Sequence, residues 1–108
     1  MSLSTHVLDA SNGAPAVGVS VRVETQHGDH WHPGAEHHTD DDGRVGSFDP
    51  PAAGVHRIRF ATGAYFAARG VETFYPEVLV TFTVTDAARH YHVPLLLSPF
   101  AFSTYRGS

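Results

Sequence analysis

Turn-forming residues recur about every ten positions along this chain, and between them apolar residues repeat with a period of two, the pattern of short strands joined by tight connections. Val17, Val19, Val21 and Val23 alternate with Gly18, Ser20, Arg22 and Glu24. Val78, Val80, Phe82 and Val84 alternate with Leu79, Thr81 and Thr83 after Pro76. Past the Pro50 to Gly54 break, VHRIRF puts His56, Ile58 and Phe60 on one face and Val55, Arg57 and Arg59 on the other. A strand is also expected from Leu3 to Asp9, with His6 at its middle, before the Ser11-Asn12-Gly13 turn. The polar segment Gln26 to Gly43 is expected to hold a loop, a short strand reaching Thr39 and a tight turn from Asp40 to Gly43, with Arg44 next. Thr62 to Gly70 is the one good helix candidate, about two turns long, with Thr62 as N-cap and Gly70 as stop. The closing run supplies two more strands, split at Ser98-Pro99. Seven to eight strands and one short helix predict an all-β fold, an antiparallel β-sandwich, in a single domain over residues 1–108.

Composition narrows what such a sandwich can do. A chain of 108 residues can build one core. It has no cysteine, which excludes disulfides, thiolate metal ligands and cysteine nucleophiles. A net charge of -4, with seven basic residues that are all arginine, argues against a nucleic-acid partner, which needs clustered positive charge. No apolar run approaches the ~20 residues of a membrane span. MSLSTHVLDA lacks the basic start and apolar stretch of a secretory signal, and the closing Arg-Gly-Ser is not a peroxisomal address. A soluble cytoplasmic protein is the expectation. Histidine is the outlier, with nine copies.

From His90 onward, Tyr91, Val93, Leu95 and Leu97 share one face of a strand, and His90, His92, Pro94 and Leu96 share the other. The first face belongs in the core. The second is also partly apolar, and a one-core domain most economically covers it with another subunit. Pro94, which cannot donate to a ladder, fits an edge or a disrupted pairing. His92 reads either as a half-buried histidine bonded to backbone or as a general base; His6 faces the same choice. Arg44 is a solvated turn residue or a clamp for an anionic, carbonyl-rich ligand. The cluster His27, His30, His32, His37 and His38 has spacings that could surround zinc. Pro33-Gly34 interrupts it, however, and without strand or helix periodicity a solvated loop is expected instead. Ser108 lies outside any G-x-S-x-G elbow, so an acyl-enzyme has little support.

Taken together, LSTHVLDASNGAPA, TDDDGRV, FYPEVLVTFTV and YHVPLLLSPFAFSTYRGS resemble the 5-hydroxyisourate hydrolases, also called transthyretin-like or transthyretin-related proteins. The resemblance covers essentially the whole chain. Its YRGS ending belongs to the enzymes and not to the hormone-carrying transthyretins. It implies a transthyretin-type sandwich assembled as a homotetramer, a dimer of dimers, with active sites in the channel where dimers meet. The implied activity opens the lactam ring of 5-hydroxyisourate to give 2-oxo-4-hydroxy-4-carboxy-5-ureidoimidazoline, without cofactor or metal. By motif, the family's catalytic residues fall on His6 in HVLD, Arg44 in DGR, His92 in YHVPLL and the terminal Ser108, with Tyr105, Arg106 and Gly107 beside the substrate. Which histidine takes the proton stays open. The alternative is a non-catalytic carrier of a small aromatic ligand.

Overall fold

The computed structural model describes residues 2–108 and contains two packed β-sheets with one short helix. The strands are β1 (Ser2–Asp9), β2 (Ala14–Pro15), β3 (Ser20–His27), β4 (His30–His38), β5 (Arg44–Val45), β6 (Gly54–Phe60), β7 (Val78–Val84), β8 (His90–Ser98) and β9 (Ala101–Thr104). The helix α1 (Thr62–Ala67) lies between β6 and β7. One sheet has the order β2-β1-β8-β9, with β5 also paired to β1; the other has the order β4-β3-β6-β7.

The alternation read from sequence decides which side chains meet between the sheets. Leu3 and Val7 of β1, with Tyr91, Val93, Leu95 and Leu97 of β8, are buried against Val21, Ile58, Phe60, Val78 and Val84 of the facing sheet. Tyr65 and Phe66 bring the helix into the same cluster. Phe60 is wholly buried, and a Phe→Ala change at such a position costs about 3–5 kcal/mol.

Three local expectations are corrected. The segment expected to hold a loop and a short strand reaching Thr39 is a β-hairpin whose second strand runs the whole way from His30 to His38: β3 and β4 pair from Ser20↔His38 to His27↔His30, around a turn whose Gly28 has φ +64°. Its second strand is polar on both faces because it is an edge strand with little to bury, so no period of two marks it. The Pro33-Gly34 interruption is absorbed by a register shift between Arg22 and Glu24, where Gly34 comes so close to the Val23 carbonyl that a Cβ would stand 2.9 Å from it. Thr62 is not the N-cap. Ala61 holds that position without a side-chain bond, and Thr62 is a buried helical residue. The helix ends at Ala67 with Ala68 as C-cap, and Gly70 closes the turn that follows, with φ +67° and the pair of bonds Gly70 N–H to Ala67 O and Val71 N–H to Phe66 O. Third, the sandwich is not wholly antiparallel: β1 and β8 run parallel in register from Ser2↔His90 to Asp9↔Leu97.

A buried polar cluster fixes the far end of β1 to the helix. The Tyr65 hydroxyl donates to Asp9 Oδ2 at 2.8 Å, the Ser11 amide donates to Oδ1 at 3.0 Å, and the Arg69 guanidinium lies 3.7 Å from the Tyr65 ring centroid. Burial alone would raise the Asp9 carboxyl; hydrogen bonds from Ser11 and Tyr65 and the charge of Arg69 outweigh it and hold the pKa below its ordinary value. Tyr65, desolvated and facing that carboxylate, is pushed up to about 12. Because the folded carboxyl is depressed, its stabilisation is present above the unfolded pKa and is lost as pH falls through the folded one. Tyr65→Phe is expected to cost about 1–3 kcal/mol in urea unfolding near neutral pH. The gap should narrow in acid, where a protonated carboxyl no longer needs the donor.

Candidate active site

The parallel register sets Ser4 beside His92 and His6 beside Pro94, and β5 runs antiparallel on the other side of β1 with Arg44 beside His6. Residues in register share a face. Arg44, His6, Ser4 and His92 therefore lie together on the outer face of the first sheet, opposite the core.

Each group is held there by a local device. Arg44 enters β5 from the DDDG turn, in which the Gly43 N–H donates to Asp40 O at 2.9 Å and Asp40 Oδ1 accepts from the Asp42 and Arg44 amides at 2.9 and 3.0 Å. Those amides, Arg44's foremost, hold the Asp40 carboxyl below its ordinary pKa. Gly43 has φ +75°, and a Cβ on it would stand 2.5 Å from the Val7 carbonyl oxygen, so only glycine lets the turn close this tightly on β1.

His92 is half-buried, and its Nδ1 is 2.8 Å from Ser4 Oγ. Its Nε2 has no hydrogen-bond partner among the described residues. His56 is the contrast: it is buried with both ring nitrogens engaged, by Thr25 Oγ1 at 3.0 Å and Ala52 O at 2.7 Å, and so is a structural histidine. Burial lowers the His92 pKa below its ordinary value, and the neighbouring charges of Arg44, His90 and His6 lower it further, against an opposing backbone hydrogen bond from Ser4. A neutral imidazole with one free nitrogen, beside a guanidinium, can accept a proton from water while the cation holds a developing oxyanion.

The C-terminal tetrapeptide divides. Gly107 forms an isolated bridge with His92, its N–H donating to the His92 carbonyl at 2.8 Å. A Cβ on Gly107 would stand 2.5 Å from His92 Cδ2, so the imidazole packs directly on glycine backbone. Ser108 follows at the same place and is exposed. Arg106 goes elsewhere: its guanidinium lies 4.9 Å from the ring centroid of Tyr91, which belongs to the core-facing row of β8. Tyr105 is exposed. Within one chain, then, His6, Arg44, His92 and Gly107 come together and the side chains of Tyr105 and Arg106 do not join them. Ser4 was missed by sequence reasoning, although its place two residues before His6 put it on that histidine's face; only the parallel partner strand reveals what it touches.

The histidine-rich hairpin contributes nothing to this group. His27 stands 5.7 and 6.5 Å, ring centroid to centroid, from His32 and His30. Among the described residues no three His, Asp or Glu side chains are arranged to hold a metal ion.

The model of the HIUase/Transthyretin family matches residues 3–107, which take in every strand that carries the site. The chain belongs to the HIUase/Transthyretin family. Within it, the chain is 46% identical over 110 residues to a probable 5-hydroxyisourate hydrolase of Caenorhabditis elegans, covering 99% of this chain and 82% of that one. The solved 5-hydroxyisourate hydrolase of Klebsiella pneumoniae superposes with a TM-score of 0.90 at 36% identity, covering 100% of both chains. The family's other branch is also close in shape: sea bream transthyretin in complex with thyroxine gives a TM-score of 0.89 at 34% identity, over 97% of this chain and 93% of that one. Shape alone thus does not separate enzyme from carrier within the HIUase/Transthyretin family, and the side chains must. No helix among the described residues is long and apolar enough to cross a membrane.

Proposed function

We infer that this protein is a 5-hydroxyisourate hydrolase, a cyclic amidase of urate breakdown. The observation that carries the reading is the convergence of His6, Arg44 and a His92 with a free Nε2 on one sheet face. Relatives that bear the hydrolase name along nearly the full chain support it.

In this reading His92 Nε2 takes a proton from water as the oxygen adds to the ring carbonyl. Arg44 carries the charge that develops on the carbonyl oxygen. The carbon–nitrogen bond then breaks, the departing ring nitrogen takes a proton, with His6 placed to give it, and a carboxylate forms. Ser108, through its hydroxyl, orients water or substrate; Gly107 lets it come close to His92. Arg106 serves by anchoring the tail on Tyr91. The chemistry uses no cofactor or metal.

The working form is a cytoplasmic homotetramer, a dimer of dimers. Supporting the assembly, the site lies on an open sheet face, and the outer row of β8 continues from His92 to Pro94 and a half-buried Leu96. A hollow of about 270 Å³ between β7, β8 and the tail is lined by Val80, Phe82 and Tyr91 together with His92, Tyr105 and Arg106, and does not include His6 or Arg44. Sedimentation should give four chains per particle; a stable monomer with full activity would remove this part of the reading.

The deciding assay is the absorbance decay of freshly made 5-hydroxyisourate with and without the protein. Accelerated decay, insensitive to chelator, is expected. Decay at the spontaneous rate by a protein that still binds small aromatic ligands would leave the carrier.

A further inference from the structure

We propose that Ser4 is a positioning residue that fixes the tautomer of His92, and that His90 fixes Ser4 in turn. The proposal rests on the reading of His92 as the base.

A neutral imidazole serves as a base only through the nitrogen that lacks the proton. The nitrogen of His92 left without a partner among the described residues is Nε2, so for His92 to act there the proton must sit on Nδ1. Left to itself, a neutral histidine side chain favours the opposite tautomer. Something must therefore accept a hydrogen bond from Nδ1, as carboxylates do for catalytic histidines elsewhere. No carboxylate side chain bonds to His92 among the described residues. The atom 2.8 Å from Nδ1 is Ser4 Oγ.

A hydroxyl is ambiguous, since it can donate as readily as it accepts. His90 couples that choice to a second ring. Its ring stacks beside that of His92, with centroids 6.4 Å apart and planes at 14°, and its Nε2 is 3.4 Å from Ser4 Oγ, while its Nδ1 bonds to Ser2 Oγ. With both histidines neutral the chain can be polarised in either direction, and the direction that leaves His92 Nε2 unprotonated is the one the base needs. In that direction His90 Nδ1–H donates to Ser2, which leaves His90 Nε2 as acceptor. Ser4 O–H then donates to His90 Nε2, and its free lone pair accepts from His92 Nδ1–H. The four residues form a polarised chain from Ser2 to His92, and its end is an unprotonated Nε2 at the site. The parallel pairing of β1 and β8 builds it, because Ser2↔His90 and Ser4↔His92 are successive same-face pairs.

A proton added to His90 would remove the acceptor that polarises the chain. Its Nε2 would become a donor to Ser4, and the Ser4 proton, no longer held by His90, would be free to go to His92 Nδ1 and shift the His92 proton toward the catalytic nitrogen. His90 thereby acts on the base without touching substrate.

The test compares Ser4→Ala, Ser4→Thr, His90→Phe and His92→Asn by steady-state kinetics, with the His92 tautomer read from its ring-nitrogen NMR shifts. Ser4→Ala should lower kcat by about 10- to 100-fold with KM little changed, within what positioning a general base contributes. The His92 proton should move toward Nε2. Ser4→Thr, which keeps the hydroxyl, should restore both, and His90→Phe should shift the tautomer part-way. An unmoved tautomer in Ser4→Ala, or a loss in Ser4→Thr as large as in Ser4→Ala, overturns the proposal. His92→Asn separates the two layers: if it is inactive while Ser4→Ala is fully active, only the role of Ser4 falls; if it is itself active, the base assignment falls and the proposal with it.

Discussion

His92→Asn is expected to lose about 10²- to 10⁴-fold in kcat toward 5-hydroxyisourate, the contribution of a positioned general base, while keeping its assembly and its unfolding midpoint. The stability half of that expectation follows from the position of His92. Its side chain points away from the core, and asparagine can still meet Ser4 Oγ. His6→Asn should also be severely impaired, and full activity in both variants would end the assignment. The pH profile gives a second check. The free base works only when unprotonated, so activity should fall as pH drops through the pKa of His92, which lies below the ordinary histidine value. Burial, Arg44 on β5, His90 on β8 and His6 on β1 all push in that direction. Arg44→Gln removes one of these and should move the acid limb to higher pH, in addition to lowering kcat. An acid limb that stays in place would mean that the titrating group is not next to Arg44.

Removal of Arg106 to Ser108 is expected to produce the other large loss, with activity reduced to near the spontaneous rate and the sandwich still folded. The residues that would go contribute nothing to the buried cluster. What they do contribute is a guanidinium over the Tyr91 ring, a backbone bond to the His92 carbonyl and a surface for its ring. Gly107→Ala is the finer probe. Its Cβ would overlap His92 Cδ2, a rigid ring in a strand, so the tail or the imidazole must move, and a displacement of even ~1 Å can cost on the order of 10²-fold in rate. A truncated enzyme with wild-type kcat would show that the tail only decorates the site.

Much of this was legible in the residues, and what was not has physical reasons. The core rows of β6, β7 and β8 stand in the sequence as alternation, because each strand has one face against a core and period two records that. β4 left no such record, since an edge strand with most of both faces in water has no pattern to show. Thr62 carried the composition of a cap but sits one residue inside the helix; boundary positions depend on tertiary contacts that local preference does not encode. For the site, resemblance supplied His6, Arg44, His92 and the tail as candidates. It could not supply Ser4 or His90 as a pair, because their relation is a strand register, and a register between segments 86 residues apart is written in no local stretch. Nor could it tell that Arg106 would lie over Tyr91 while its neighbour Gly107 packs on His92.

The pairing of β1 with β8 also governs when the site can exist. Ser4 and His92 are separated by 88 residues, and β1 meets its parallel neighbour only after the intervening hairpins and the helix have been laid down. Contacts at such separation close late and slowly, because the loop entropy must be met before they form. A folding intermediate with the second sheet formed could thus have strands and hydrophobic surface but no base, no oriented hydroxyl and no guanidinium beside them. Recovery of activity during refolding should therefore trail the recovery of strand content, and the lag would time the arrival of β8 against β1.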